Sequence, residues 1–165
     1  MNINIRGRLF DLSKPKVMGI LNLTPDSFYD GGVHNEINKI EDHVNKMVND
    51  GMDILDIGGY SSKPGAKNIS VDEELSRVIP ILKHIRKIFP ELVISIDTFR
   101  SKIASASLNE GADIINDISG GTLDKNMMSI VAKNNCPYIL MHMQGNPQNM
   151  QNDPSYENVT LEIIQ

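Results

Sequence analysis

Five apolar runs alternate with helix-period segments along this chain, and that alternation constrains the fold more than any other feature. The runs are Val17–Leu23, Asp53–Ile57, Leu92–Ile96, Asp113–Ile118 and Pro137–His142. They are largely continuous rather than alternating apolar and polar, as strands covered on both faces require. Helical segments lie between them, and a strand–helix unit repeated this way demands a parallel sheet with its helices outside.

The helical segments carry their own boundaries. Ile37, Ile40, Val44, Met47 and Val48 share one face of the first, which Gly51 ends. "SVDEEL" opens the second with a capping-box pattern, Ser70 reaching forward and Glu73 back. Pro90 stops that helix, and Pro80 inside it predicts a kink. The third is "SKIASASLNEG", the fourth spans about Asp124 to Asn134, and a fifth starts near Ser155. Ahead of these units, residues 1–15 form a short alternating segment that Arg6-Gly7 folds into a hairpin. The chain of 165 residues thus reads as one domain, with βα units one to five over 16–165.

A net charge of −5 with no Lys/Arg stripe argues against nucleic acid or an anionic membrane as partner. No run reaches the roughly 20 apolar residues of a membrane span, and "MNINIRGRLF" lacks the apolar core of a signal peptide. The single cysteine, Cys136, reads as a core residue in a reducing cytosol. A cytoplasmic protein is the expectation.

Polar residues collect at or just past the C-terminal ends of the strands: Asn22, Asp56, Asp97, Asn116–Asp117 and His142. Barrels and open α/β sheets both bind ligands there. No GxGxxG or Walker loop is present, which disfavours a dinucleotide or P-loop site. The Asn22 amide oxygen suits a hard cation such as Mg²⁺, or it merely turns the chain. In "DIGGYSSKPGA", Gly58 and Gly59 allow close backbone approach, while Ser61, Ser62 and Lys63 suit a phosphorylated ligand. Asp97, leaving an apolar strand, needs partners. Asp97 and Asn116 on adjacent strands could read the edge of a flat nitrogen heterocycle. His142, a lone histidine near a core, reads as structural first.

These stretches carry a resemblance. "MGILNLTPDSFYDGG", "DIGGYSSKPGA", "SIDTFR", "INDISGG" and "LMHMQGNPQNMQ", in this order, resemble the dihydropteroate synthases of folate biosynthesis, the enzymes that sulfonamides inhibit. The resemblance implies a TIM (β/α)8 barrel. It also implies a transferase that joins (7,8-dihydropterin-6-yl)methyl diphosphate to p-aminobenzoate with Mg²⁺ and releases pyrophosphate. Carried over by position, Asn22 is implied to meet Mg²⁺ and the diphosphate. Asp97 and Asn116 are implied as pterin-edge and catalytic residues, with Asp56, Ser62 and Lys63 also on the substrate and Phe28 and Pro64 around the aminobenzoate. Ser62 stands where the family has Thr, Lys63 where it has Arg, and Tyr60 where Glu is common. Lys63 puts a point charge in place of a bidentate fork.

A complete barrel takes eight units and about 250 residues. The family's later motifs, a Gly-rich strand end with Asp, then a Lys, then an Arg/His pair, are absent from this sequence. The chain therefore reads as the N-terminal portion of a truncated barrel. Two other readings stand beside the synthase: an inactive fragment that at most binds ligand, and a related pterin-binding methyltransferase barrel. A homodimer is left open.

Overall fold

The computed structural model describes residues 1–23, 33–61 and 68–164. Strands β1 (Asn2–Ile5) and β2 (Arg8–Asp11) pair antiparallel as an N-terminal hairpin. Both turn residues, Arg6 at φ 51° and Gly7 at φ 79°, are left-handed, as a tight two-residue hairpin turn requires.

The five expected strands then form one parallel sheet in sequence order. They are β3 (Met18–Asn22), β4 (Ile54–Gly58), β5 (Val93–Asp97), β6 (Ile114–Asp117) and β7 (Tyr138–Leu140). The connecting helices are α1 (Val33–Asn49), α2 (Val71–Ile88), α3 (Ser101–Asn109) and α4 (Met127–Asn134). A final α5 (Val159–Ile164) starts four residues later than Ser155, and α4 starts at Met127 rather than near Asp124. Helix α2 runs through Pro80 to Ile88 without a break. Half of its capping box forms: Ser70 Oγ accepts from the Glu73 amide at 3.0 Å, while the Glu73 carboxylate turns to Arg77.

The two faces of the sheet differ. Leu21, Leu55, Ile57, Ile94, Ile96 and Ile115 point outward and are fully buried against the helices. At roughly 2 kcal/mol per buried aliphatic side chain, this layer contributes on the order of 10 kcal/mol to the driving force for folding. The opposite face is apolar at its lower end. There Ile54, Val93 and Ile114 pack with Ile5 and against Ile3, Phe10 and Met18, so the hairpin plugs the N-terminal ends of the strands. Higher up, Asp56, Ser95, Asp97 and Asn116 make the middle of this face polar, with Ile20 and Ile139 at its flanks.

Candidate functional site

Strand register builds the site. Asn22, Gly58, Asp97, Asn116 and Ile139 are aligned across all five strands as one row. Ile20, Asp56, Ser95 and Ile114 form the row beneath. Residues two apart on a strand share a face, so both rows look the same way.

Gly58 makes room in the upper row. A Cβ placed on it would lie 3.4 Å from both Asn22 Oδ1 and Asp97 Oδ2. The missing side chain lets the amide of one strand and the carboxylate of another converge over bare backbone. Gly59 answers a different need: a Cβ there would meet Val78 Cγ2 at 2.7 Å, so this glycine lets helix α2 close on the sheet.

Asp97 is partly buried, and no hydrogen bond from the described residues reaches its carboxylate. Burial raises its pKa to about 7, helped by repulsion from Asp56, Glu74 and Asp117. Asp56 lies two residues before the end of β4, one row below the mouth at which it was expected. It is 5% exposed and accepts from Asn116 Nδ2 at 3.0 Å. Burial pushes its carboxyl upward against the weaker pull of the neighbouring Ser95 hydroxyl and the Asn116 amide. Asp56 Oδ1 and Ser95 Oγ, both buried, fall short of hydrogen-bonding geometry.

Other candidates fare differently. Asp117 is structural: its oxygens accept from Ser119 N and Oγ, Gly121 N and Tyr138 Oη, closing the turn after β6. His142 falls two residues beyond β7, where its Nε2 lies 3.1 Å from Tyr156 Oη. Phe28, Ser62, Lys63 and Pro64 lie outside the described residues.

The sequence reading missed a supporting cluster. Glu74, fully buried on α2, accepts from Thr98 Oγ1 at 2.8 Å and pairs with Arg100 at 2.7 Å. The Arg100 guanidinium lies 5.2 Å from the Tyr60 ring centre and 5.3 Å from that of Phe99. Tyr60 Oη bonds Asn68, and Gln148 Nε2 reaches both at 3.1 Å. Tyr60, Asn68 and Gln148 thereby tie the connections after β4 and β7 together.

Among the described residues no group of three His, Cys, Asp or Glu could hold an ion. Asn22 offers one exposed neutral oxygen at the mouth. That fits Mg²⁺, which takes few protein ligands and completes its shell with phosphates and water.

Residues 18–165 match the family model described as pterin binding enzyme. The chain belongs to the pterin-binding enzyme family. Similarity to pterin-binding relatives extends over almost all of it. The dihydropteroate synthase of Escherichia coli K12 is 46% identical over 163 residues, covering 99% of this chain and 57% of the relative. The Yersinia pestis dihydropteroate synthase, solved with a sulfonamide drug complex, superposes with a TM-score of 0.85 at 41% identity, covering 99% of this chain and 58% of that one. The Xanthomonas albilineans enzyme, solved with 4-aminobenzoic acid, gives 0.83 at 37%, covering 99% and 56%. The chain spans little more than half the length of each of these relatives. Its five-stranded parallel sheet matches part of the TIM barrel of these neighbours.

Proposed function

We propose that this chain supplies the pterin-binding half of a dihydropteroate synthase. The whole protein would condense (7,8-dihydropterin-6-yl)methyl diphosphate with p-aminobenzoate, releasing pyrophosphate. One observation carries the reading: Asn22, Asp97 and Asn116 stand in a single register row at the C-terminal ends of adjacent strands, around a glycine that keeps the floor open. The Yersinia pestis and Xanthomonas albilineans relatives, with a sulfonamide and with 4-aminobenzoic acid, support the same substrate class.

In this reading Asp97 and Asn116 hold the pterin edge. With its pKa at about 7, the Asp97 carboxyl is balanced between donor and acceptor forms near neutrality. A ring N–H selects the ionised form, and that charge favours the positive charge that develops as the methyl–oxygen bond breaks. The aminobenzoate nitrogen then attacks the methyl carbon, and no covalent enzyme intermediate is needed. Asn22 would hold Mg²⁺ beside the diphosphate, where the ion supplies Lewis-acid stabilisation of the leaving oxygens. Ser62 and Lys63 would add diphosphate contacts, and Phe28 and Pro64 would surround the aminobenzoate, with sulfonamides competing there. The protein would work in the cytoplasm.

Two experiments test this. The chain is titrated with 6-hydroxymethylpterin, followed by fluorescence. The same chain, fused to the remaining barrel units of the Escherichia coli relative, is assayed for pyrophosphate release with and without p-aminobenzoate and Mg²⁺. Saturable binding and release dependent on both are expected. Absence of pterin binding in both proteins would overturn the proposal.

A further inference from the structure

Asp56 occupies an odd position for a residue that touches substrate. It lies one row below the Asn22–Gly58–Asp97–Asn116 row, it is 5% exposed, and one of its oxygens is already engaged by Asn116. Burying a carboxylate beside an apolar layer is costly unless the group has a task there. Its other oxygen belongs to the residue opposite Ser95 in register, and among the described residues neither that oxygen nor Ser95 Oγ completes a hydrogen bond of ordinary geometry. Among the described residues, the well-formed bond of this buried acid goes to an amide in the row above.

That bond has a chemical consequence. An asparagine amide presents a donor from one end and an acceptor from the other, and little in its shape distinguishes the two. An ionised carboxylate only accepts, so Asp56 Oδ2 takes the Nδ2 end of Asn116, at 3.0 Å. The trigonal amide then directs Oδ1 away from Asp56. Asp97, the register partner of Asn116 on the neighbouring strand, is likewise an acceptor when ionised. The upper row therefore presents two acceptors side by side, and a planar ring with adjacent N–H groups complements them. With an amide at position 56, which donates as readily as it accepts, nothing would prevent Asn116 from turning its NH2 toward the ligand.

We propose that Asp56 is a positioning residue that binds no part of the ligand and instead locks the Asn116 amide with its carbonyl toward the heterocycle, so that the site selects a donor edge. This rests on the pterin reading above and assigns the source of its selectivity.

The test compares wild type with Asp56→Asn, using 6-hydroxymethylpterin and the matching lumazine, whose 2-amino group is replaced by a carbonyl. In wild type the Asn116 side-chain NH2 resonances in a ¹⁵N correlation spectrum should exchange slowly, as for a buried donor. In Asp56→Asn that protection should be lost. Pterin affinity should fall about tenfold, the scale of one hydrogen bond to a charged group, while lumazine affinity holds or rises. A pterin-to-lumazine ratio unchanged within about twofold overturns the proposal, because a merely structural acid would weaken both ligands alike. If wild type binds neither probe, the pterin reading falls, and loss or retention of Asn116 protection in the variant decides the positioning role by itself. If Asp56→Asn does not fold, the wild-type spectrum decides: slow Asn116 NH2 exchange upholds the lock, and exchange at the rate of a free amide overturns it.

Discussion

Replacing Asp97 by Asn should stabilise the protein while destroying its proposed ligand site, and the gain should depend on pH in a defined direction. Folding raises this carboxyl from 3.8 to about 7, first by burial and then by the nearby carboxylates Asp56, Glu74 and Asp117. Well below pH 3.8 the group is protonated in both the folded and the unfolded chain and costs nothing. Between the two values the folded protein keeps a proton that the unfolded chain has lost. Stability therefore falls as pH rises through this window, and the loss is complete above pH 7. A shift of about three units sets a ceiling near 4 kcal/mol at about 1.4 kcal/mol per unit. Asp56 and Glu74 are also shifted upward, so part of that cost belongs to them. An observed gain of about 2 kcal/mol for Asp97→Asn at pH 8 is the expectation, shrinking to near zero at pH 4. Urea unfolding of both proteins at pH 4, 6 and 8 measures it, with titration of 6-hydroxymethylpterin beside it. Equal stability of the two proteins at pH 8, or a variant weakened at every pH, would refute the idea that Asp97 is held against its own solvation. Undiminished pterin binding by the variant would separately remove Asp97 from the site.

Gly58→Ala should fold with little change in Tm, because the new methyl meets its neighbours at 3.4 Å, an ordinary contact, yet pterin binding should drop as the methyl fills the open floor between Asn22 and Asp97. Gly59→Ala should instead cost about 1–3 kcal/mol in urea unfolding, since its methyl would lie 2.7 Å from Val78 Cγ2 on a helix that must shift. Arg100→Ala leaves the buried Glu74 carboxylate, among the described residues, with the Thr98 hydrogen bond and the more distant charge of Arg77 and should cost about 3 kcal/mol, most of it recovered on acidification, when Glu74 protonates. A Tm drop that is the same at pH 5 and pH 8 would show that Arg100 acts through packing on Tyr60 and Phe99 rather than through charge.

The strand–helix alternation was legible because each unit is specified locally. Continuous apolar runs such as "VISID", too short for a helix and bounded by turn residues, suit a strand covered on both sides. Their parallel order follows from the helices between them, and the hairpin from Arg6-Gly7. The placement of Asn22, Asp97 and Asn116 at one mouth follows from the same logic, since each ends its own strand or stands one residue short of its end. Tertiary structure decided which of the polar residues face one another. A strand's side chains alternate between faces, so a difference of one residue sends Asn116 to the face it shares with Asp56 and Asp97 and Asp117 into a turn behind it. Register between strands is set by the whole packed sheet. It placed Asp56 beneath Asn116 rather than at the rim, and it opposed Asp56 to Ser95 from a strand nearly forty residues away. The Glu74–Arg100–Tyr60 cluster joins a helix, a strand end and a loop that no local pattern relates. Its members meet only because the sheet's outer layer, once buried, draws α2 close enough for a glycine to be needed at position 59.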